Sequence, residues 1–230
     1  MNRRRHTAVS RVMAHRPSHL TIAALLALPV LGACAQTDPS VSPSVPPATA
    51  SPTATELTAT DEPLPAGRYT RAGFEPAITF ELDGSWQAVQ LFGGFFDVQQ
   101  DVGSADVIAV QFARPSAIFG EAGSDPATTA EAAIASLQAN SAVAVVETSD
   151  SRIGGLVGLQ VTVENSGDAH ASVMQVPPGP LGIDPGRRLW IAFFDSPDGL
   201  LAIMVGGSVA QWDEALAAAE PELESVQIGP

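Results

Sequence analysis

The stretch AITFEL, residues 77–82, alternates apolar and polar side chains without a break and ends at Asp83-Gly84, just before Trp86. Strict alternation predicts a strand with one face on a core, and Asp-Gly is typical of a tight turn. Residues 67–70 predict a preceding strand that pairs with it as a hairpin. The same criteria predict further strands at residues 86–92, 95–99, 107–112, 142–147, 156–163, 171–176, 189–194 and 200–205.

Two segments have helical rather than strand periodicity. Residues 128–140 begin with Thr128 and Glu131 at capping-box spacing, and Ser208 with Gln211 repeats that spacing before an apolar stripe that Pro221 interrupts. Strands grouped with two helices set apart in sequence predict an α+β domain over residues 66–230. In that fold an antiparallel β-sheet is covered by about two helices.

The N-terminus differs in kind from the rest of the chain. Residues 1–33 contain five arginines and no acidic residue, and residues 20–31 form an apolar run of 12 residues. A transmembrane helix needs about 20 residues, so the run is typical of a signal peptide. Leu31-Gly32-Ala33-Cys34 follows and resembles a lipobox, the site at which lipoprotein signal peptides are cleaved and the cysteine is lipidated.

The lipobox resemblance implies that Cys34 becomes the first residue of the mature protein and carries a diacylglyceryl thioether, with palmitate among its acyl chains. Cys34 is the only cysteine in the chain, so an internal disulfide is excluded. The resemblance predicts a partnership with the membrane through the lipid anchor and a location at its extracytoplasmic face. The alternative is a free buried cysteine behind an uncleaved signal anchor.

The segment after the lipobox is rich in small and turn-forming residues. Residues 35–65 contain seven prolines, six threonines and four serines. Such a composition cannot offset the entropy of ordering a packed core. Residues 34–65 are therefore predicted to be the lipidated cysteine followed by a disordered linker.

The charge of the protein excludes several classes of partner. The formal net charge is −14, and removal of residues 1–33 leaves six basic residues against 25 acidic ones, a charge of −19. So acidic a body is repelled by phosphates and by anionic lipid headgroups. We therefore expect no nucleic-acid partner.

Three stretches carry a resemblance to a known family. They are FEPAITF at residues 74–80 with DGSW at 83–86, IGGLVG at 153–158, and Trp212 followed by LESV at 223–226. Together they resemble PsbP-like domains, including LpqN-like lipoproteins, over most of residues 74–228. The resemblance implies an accessory or binding protein. It assigns no catalytic residue, because the family shares none.

Few side chains in the mature sequence offer chemistry. His170 is the only histidine after residue 33, and it follows Asp168 in a turn; on a strand the two would share one face, half of a metal or Ser-His-Asp site. Asp97, Asp101 and Asp106 are clustered and suit calcium or carboxylate-dependent hydrolysis. The alternative for both groups is a solvated turn or loop. No phosphate-binding or dinucleotide motif occurs, and no cofactor or metal site is expected.

Two features suggest a ligand surface. Phe92, Phe95 and Phe96 surround a glycine pair and suit the mouth of a pocket, although a turn between core strands would use the same residues. Arg187 and Arg188 follow a proline-rich loop and suit an anionic ligand, although they could equally pair with the surrounding acids.

These observations favour a membrane-anchored extracytoplasmic lipoprotein that acts as a binding or accessory module for a small molecule or an envelope protein. One alternative is a secreted hydrolase that uses a carboxylate such as Asp97 or Asp101. Another is a purely structural envelope protein. The sequence does not decide whether the domain has enzymatic activity.

Overall fold

The structure is a computed structural model that describes residues 53–229. The predicted signal peptide, Cys34 and residues 34–52 of the predicted linker lie outside the described residues. The strands are β1 (Thr55–Glu56), β2 (Gly67–Arg71), β3 (Ile78–Leu82), β4 (Gln87–Phe92), β5 (Phe95–Gln100), β6 (Ile108–Ala113), β7 (Ala117–Gly120), β8 (Gly123–Pro126), β9 (Val143–Ile153), β10 (Leu156–Asn165), β11 (Ala171–Val176), β12 (Gly179–Ile183), β13 (Arg187–Ser196), β14 (Gly199–Ser208) and β15 (Gln227–Ile228). The helices are α1 (Ala130–Ala139) and α2 (Trp212–Ser225).

The strands form three sheets. A central sheet of seven strands has the order β4-β5-β6-β14-β13-β10-β9. Two smaller sheets have four strands each: the N-terminal sheet, in the order β1-β2-β3-β15, and the hairpin sheet, in the order β12-β11-β7-β8. Pairing is antiparallel except between β1 and β2, which run parallel.

The middle of the central sheet is buried on both faces, and β14 shows this most clearly. Leu201, Ile203 and Val205 pack in one hydrophobic core together with residues of the N-terminal sheet and α2. Their neighbours Leu200 and Met204 pack in a second core, together with the hairpin sheet and α1. We call the first side the aromatic face, because its core holds most of the large rings, and the second side the cleft face.

The expected fold class is wrong. The prediction was α+β, one antiparallel sheet covered by two helices, whereas the chain forms a β-rich, sandwich-like stack of mostly antiparallel sheets. The covering layers are largely sheet because β12 and β7 pair with β11, and β8 pairs with β7. These three strands are short, contain glycine or proline, and have no alternating pattern by which the sequence would reveal them.

The folded domain begins earlier than residue 66. Leu57 and Leu64 are buried in the aromatic face, and the Leu57 amide donates to the Thr70 carbonyl at 2.8 Å. The Leu64 amide donates to the Trp86 carbonyl at 2.7 Å. Leu57 and Leu64 therefore pack onto the domain from within the segment predicted as linker.

Both helices lie close to their expected positions. α1 is capped by Thr129 rather than Thr128, since the Thr129 hydroxyl accepts from the Ala132 amide at 3.1 Å. α2 continues through Pro221 to Ser225 instead of ending there. Within residues 53–229, neither helix has the length and apolar content needed to cross a membrane.

Candidate functional site

A cleft of about 290 Å³ opens between the cleft face of the central sheet and the turn that joins β11 to β12. Its floor consists of polar side chains from β4, β5 and β6, and its roof is the proline-rich turn. The lining residues are Gln90, Phe95, Asp97, Gln99, Gln111, Val176, Pro177, Pro178, Gly179, Pro180 and Leu181.

A β-bulge places Asp97 at the centre of the floor. Ala88 pairs with Val98 and Leu91 pairs with Phe96, so two residues of β4, Val89 and Gln90, stand opposite the single residue Asp97. A bulge leaves a backbone amide without its ladder partner. Here the Gln90 amide donates to Asp97 Oδ1 at 2.7 Å, so that this carboxyl oxygen completes the broken ladder.

Two glutamine side chains surround the same carboxyl group. Gln99 lies two residues along β5, on the same face as Asp97, and its Nε2 donates to Asp97 Oδ2 at 2.6 Å. Gln111 stands directly opposite Asp97 in the register of β5 and β6, and its side chain also lines the cleft. The site is therefore one acid held by a ring of amides.

Burial dominates the electrostatics of Asp97. The residue is 0% exposed, and burial raises the pKa of its carboxyl above the ordinary value of 3.8. The hydrogen bonds from Gln99 and Gln90, together with the nearby carboxamide of Gln111, act in the opposite direction because they favour the charged form. None of the other ten lining residues is titratable, so no cationic side chain compensates the acid within the lining.

The roof of the cleft is stiff and apolar. Val176 pairs with Gly179, which leaves Pro177 and Pro178 as the two turn residues of a tight hairpin. The Pro177 ring lies against Gly94, where a Cβ atom would meet it at 3.6 Å. The roof and the glycine turn between β4 and β5 therefore meet at one end of the cleft.

The three predicted phenylalanines have different surroundings. Only Phe95 lines the cleft, and its side chain packs in the core of the cleft face. Phe96 packs in the aromatic face, and Phe92 is 39% exposed at the end of β4. Alternation along β5 separates Phe95 from Phe96, so the three residues form no single surface.

The two predicted arginines are engaged within the domain. Arg187 donates to the carbonyls of Ala105 and Val107, at 3.1 and 2.6 Å, and burial lowers the pKa of its guanidinium. Arg188 pairs with the Glu164 carboxylate, and its guanidinium carbon lies 5.3 Å from the centroid of the Trp212 ring.

The register also keeps Arg188 away from the phenylalanines. Phe95 aligns with Ala113, Ala113 with Ala202, and Ala202 with Phe193. Arg188 lies five residues from Phe193 along β13, a separation of about 17 Å at roughly 3.3 Å per residue.

The predicted acidic cluster does not converge on Asp97. Asp101 and Asp106 are exposed and line a separate groove of about 570 Å³ that also includes Glu214. His170 contacts Asp184 at 2.9 Å on the exposed surface rather than Asp168. Across residues 53–229, no three His, Cys, Asp or Glu side chains come together in a way that could hold a metal ion.

Sequence reasoning missed most of the cleft. Gln90 and Gln111 carry no motif, and the sequence connects the proline-rich loop that begins at Pro177 with Arg187 and Arg188 rather than with Asp97. One signal was available: Asp97 interrupts the apolar run Phe95-Phe96-Asp97-Val98, and a polar residue inside a buried strand needs partners.

A second buried acid lies in the core of the aromatic face. Glu222, on α2, is 3% exposed, and burial raises the pKa of its carboxyl above 4.5. The carboxyl lies near the indole of Trp86. Nevertheless, within the described residues neither Glu222 Oε2 nor Trp86 Nε1 makes a hydrogen bond of standard geometry.

No family model and no curated protein sequence matches this chain. Among solved structures it is similar to PsbP from Synechocystis sp. PCC 6803, with a TM-score of 0.42, 11% identity and coverage of 71% of this chain and 92% of that one. It is also similar to LpqN of Mycobacterium tuberculosis, a protein involved in cell envelope biogenesis. That match has a TM-score of 0.40 and 9% identity, and it covers 77% of this chain and 90% of LpqN.

A Bacteroides thetaiotaomicron protein matches with a TM-score of 0.34 and 8% identity, and the chain spans 45% of its length. The structural neighbours thus include both groups that the sequence motifs resemble, PsbP and LpqN. With so few identical residues, no residue role is transferred from them.

Proposed function

We propose that this protein is an extracytoplasmic lipoprotein, anchored to the cell membrane through Cys34, whose domain binds a small molecule in the cleft above Asp97. It acts there as a binding or accessory module of the cell envelope. The observation that carries the binding role is a fully buried carboxyl, ringed by amides, on the floor of a cleft with a stiff apolar roof. Ligand sites typically combine apolar walls with a few converging polar groups in this way.

The residues of the cleft favour binding over hydrolysis. Hydrolysis by carboxylates needs a pair of acids at a defined separation, and Asp97 is the only acid in the lining. The lining also contains no serine, threonine, cysteine or histidine to act as nucleophile or base. The cleft above Asp97 therefore supports a binding site better than a hydrolytic one.

The anchor is supported by the order of segments at the N-terminus. An arginine-rich start, a 12-residue apolar run and Leu31-Gly32-Ala33-Cys34 follow one another as lipoprotein processing requires. Two or more acyl chains give stable anchoring, at about 0.8 kcal/mol for each buried methylene. A strongly acidic domain would have no affinity of its own for an anionic bilayer.

The anchor is tested with labelled palmitate in cells that express the full chain. We expect Cys34→Ala to lose the label and to leave the membrane fraction, whereas Ser40→Ala, a nearby control, behaves as the wild type. Equal labelling of Cys34→Ala and wild type would refute the anchor.

The binding role is tested by a thermal-shift screen of the full chain against small molecules. A ligand of the folded state raises Tm in a concentration-dependent way. Gly179→Leu should abolish the shift, because a Cβ at Gly179 meets no atom within 4 Å and the added side chain has room to occupy the cleft. Gly167→Leu, in the exposed turn between β10 and β11, is the matched control. Shifts that survive Gly179→Leu would place binding outside the cleft.

A further inference from the structure

The hydrogen bonds of Asp97 fix the polarity of the cleft. An ionised carboxylate accepts hydrogen bonds and donates none, so each group that contacts Asp97 turns a donor toward it. The Gln90 amide and Gln99 Nε2 are both used in this way. The carbonyl oxygen of the Gln99 side chain therefore faces away from the carboxyl, and it accepts no hydrogen bond from any residue between 53 and 229.

The same logic applies to Gln111. It stands opposite Asp97 in the register and also lines the cleft, and its carboxamide lowers the pKa of the Asp97 carboxyl, as an N–H turned toward a carboxylate does. The carboxamide oxygens of the cleft floor therefore remain for a ligand, while each carboxamide nitrogen keeps at least one further N–H. The oxygens suit ligands with N–H donors, and the charge beneath them decides between neutral and cationic ligands.

The charge of the floor points the same way. A buried charge is normally paired, because an unpaired one is costly. No arginine, lysine or histidine lines the cleft, and the protein as a whole carries a formal charge of −14. The missing counter-charge can come from a bound ligand, and the field of the protein favours the approach of cations.

We propose that the cleft binds a small organic cation, with an ammonium or guanidinium group on the amide oxygens above Asp97 and a short hydrocarbon part under the proline roof. This inference rests on the proposed binding function and specifies its ligand class. Phe95, Val176 and Leu181 supply the apolar wall for the hydrocarbon part. The cleft volume of about 290 Å³ lies at the lower end of the range for ligand pockets, which limits the ligand to a small molecule.

Three four-carbon compounds separate charge from shape: 1,4-diaminobutane, 1,4-butanediol and butanedioate. Their binding to the full chain is measured by titration calorimetry at pH 7.5 and constant ionic strength. We expect the diamine to bind with a 1:1 stoichiometry, and the diol and the dianion to bind at least about tenfold more weakly, since a hydrogen bond to a charged group is worth about 1.5–3 kcal/mol.

Two cleft variants and one control assign the binding to Asp97. Asp97→Asn keeps the shape and removes the charge, and should weaken diamine binding by about 10- to 100-fold. Asp101→Asn removes the same charge from an exposed residue at φ 54°, a backbone conformation that asparagine tolerates, and should leave the affinity unchanged. Gln99→Met keeps the Asp97 carboxyl but removes the amide oxygen of Gln99 and the hydrogen bond that Gln99 Nε2 donates to Asp97. It should also weaken diamine binding, and it replaces Asp97→Asn if that variant disturbs the bulge.

The outcomes distinguish the ligand class from the binding function. Equal affinity for diol and diamine, or diamine binding that survives both Asp97→Asn and Gln99→Met, would overturn the organic-cation inference. If the cleft instead binds an uncharged molecule that Gly179→Leu excludes, the inference fails while the proposed binding function stands. If neither these compounds nor the wider screen gives binding sensitive to Gly179→Leu, both fail.

Discussion

The two faces of the central sheet each bury one acid, in opposite kinds of surroundings. On the aromatic face, the Phe96 ring lies 4.5 Å from Phe112, 5.1 Å from Phe74 and 6.1 Å from Phe80, measured between centroids, and Glu222 belongs to the same side. On the cleft face, Asp97 lies beneath a cleft and is ringed by amides. Burial raises the pKa of both acids.

The two faces differ in the number of hydrogen-bond donors that contact each buried carboxyl group. Asp97 receives donors at both oxygens, so a large part of its lost hydration is replaced. Glu222 Oε2 receives none from the described residues. A buried acid with donors can serve a ligand, whereas a buried acid without them mainly costs stability. Burial by itself therefore does not identify a functional carboxyl.

The largest expected effect tests whether the aromatic face carries the stability of the domain. Phe96→Ala should lower the free energy of unfolding by about 3–5 kcal/mol, because it removes a fully buried ring that packs against three others. Phe92→Ala, at the exposed end of the same hairpin, is the control and should change it by about 0.5 kcal/mol or less. Urea denaturation of the full chain measures both. If both variants lost the same free energy of unfolding, the aromatic cluster would contribute no more to stability than an exposed phenylalanine.

A smaller effect of opposite sign is expected at Glu222. Glu222→Met should raise the free energy of unfolding at pH 7.5 by about 1–3 kcal/mol, because it removes an unsatisfied buried polar group and fills its place with a side chain of similar length.

The effect at Glu222 should also depend on pH. Since folding raises the pKa of Glu222, the folded state binds its proton more tightly than the unfolded state does. The cost of the buried charge is absent below about pH 4.5 and grows as the pH rises through the raised pKa. The advantage of the methionine variant should therefore shrink in acid. A constant advantage across this range would show that Glu222 does not titrate in the folded protein.

The smallest effect on stability is expected at Asp97. Asp97→Asn removes a buried charge, which should stabilise the fold, but it also replaces one acceptor with a donor that faces other donors, which should destabilise it. The two effects should nearly cancel, so that the free energy of unfolding changes by no more than about 1 kcal/mol at pH 7.5. As the pH falls through the raised pKa of Asp97 toward 3.8, the carboxyl becomes neutral in the folded protein. The free energy of unfolding of the wild type should therefore rise relative to that of the variant. A loss of several kcal/mol at pH 7.5 would make Asp97 a structural residue of the bulge.

Local patterns in the sequence predicted many individual elements. The alternation at residues 77–82 corresponds to β3, and the apolar run at 200–205 lies within β14, which is buried on both sides. The fold class was missed because the sequence predicts no strand at β7, β8 or β12. The residues of β12, Gly-Pro-Leu-Gly-Ile, have low strand propensity, and their pairing with β11 is a tertiary effect.

The candidate site was harder to predict than the elements. Asp97 was singled out as one of three clustered acids, yet its partners come from β4 and β6 and meet it only through the sheet register and one bulge. Arg187 and Arg188 are candidate ligand residues in the sequence because basic residues are scarce in this chain. In the structure Arg187 binds backbone carbonyls and Arg188 pairs with Glu164, and sequence spacing does not reveal these partners.

The alternation of side chains along β14 couples the packing of the two faces. Because one backbone supplies neighbouring side chains to both hydrophobic cores, a slip of a single residue would exchange Leu201, Ile203 and Val205 for Leu200, Ala202 and Met204 on each side at once. Loss of the β14 register therefore disrupts the packing of both layers. The roof over Asp97 and the ring cluster behind it are thus expected to be lost in one cooperative transition.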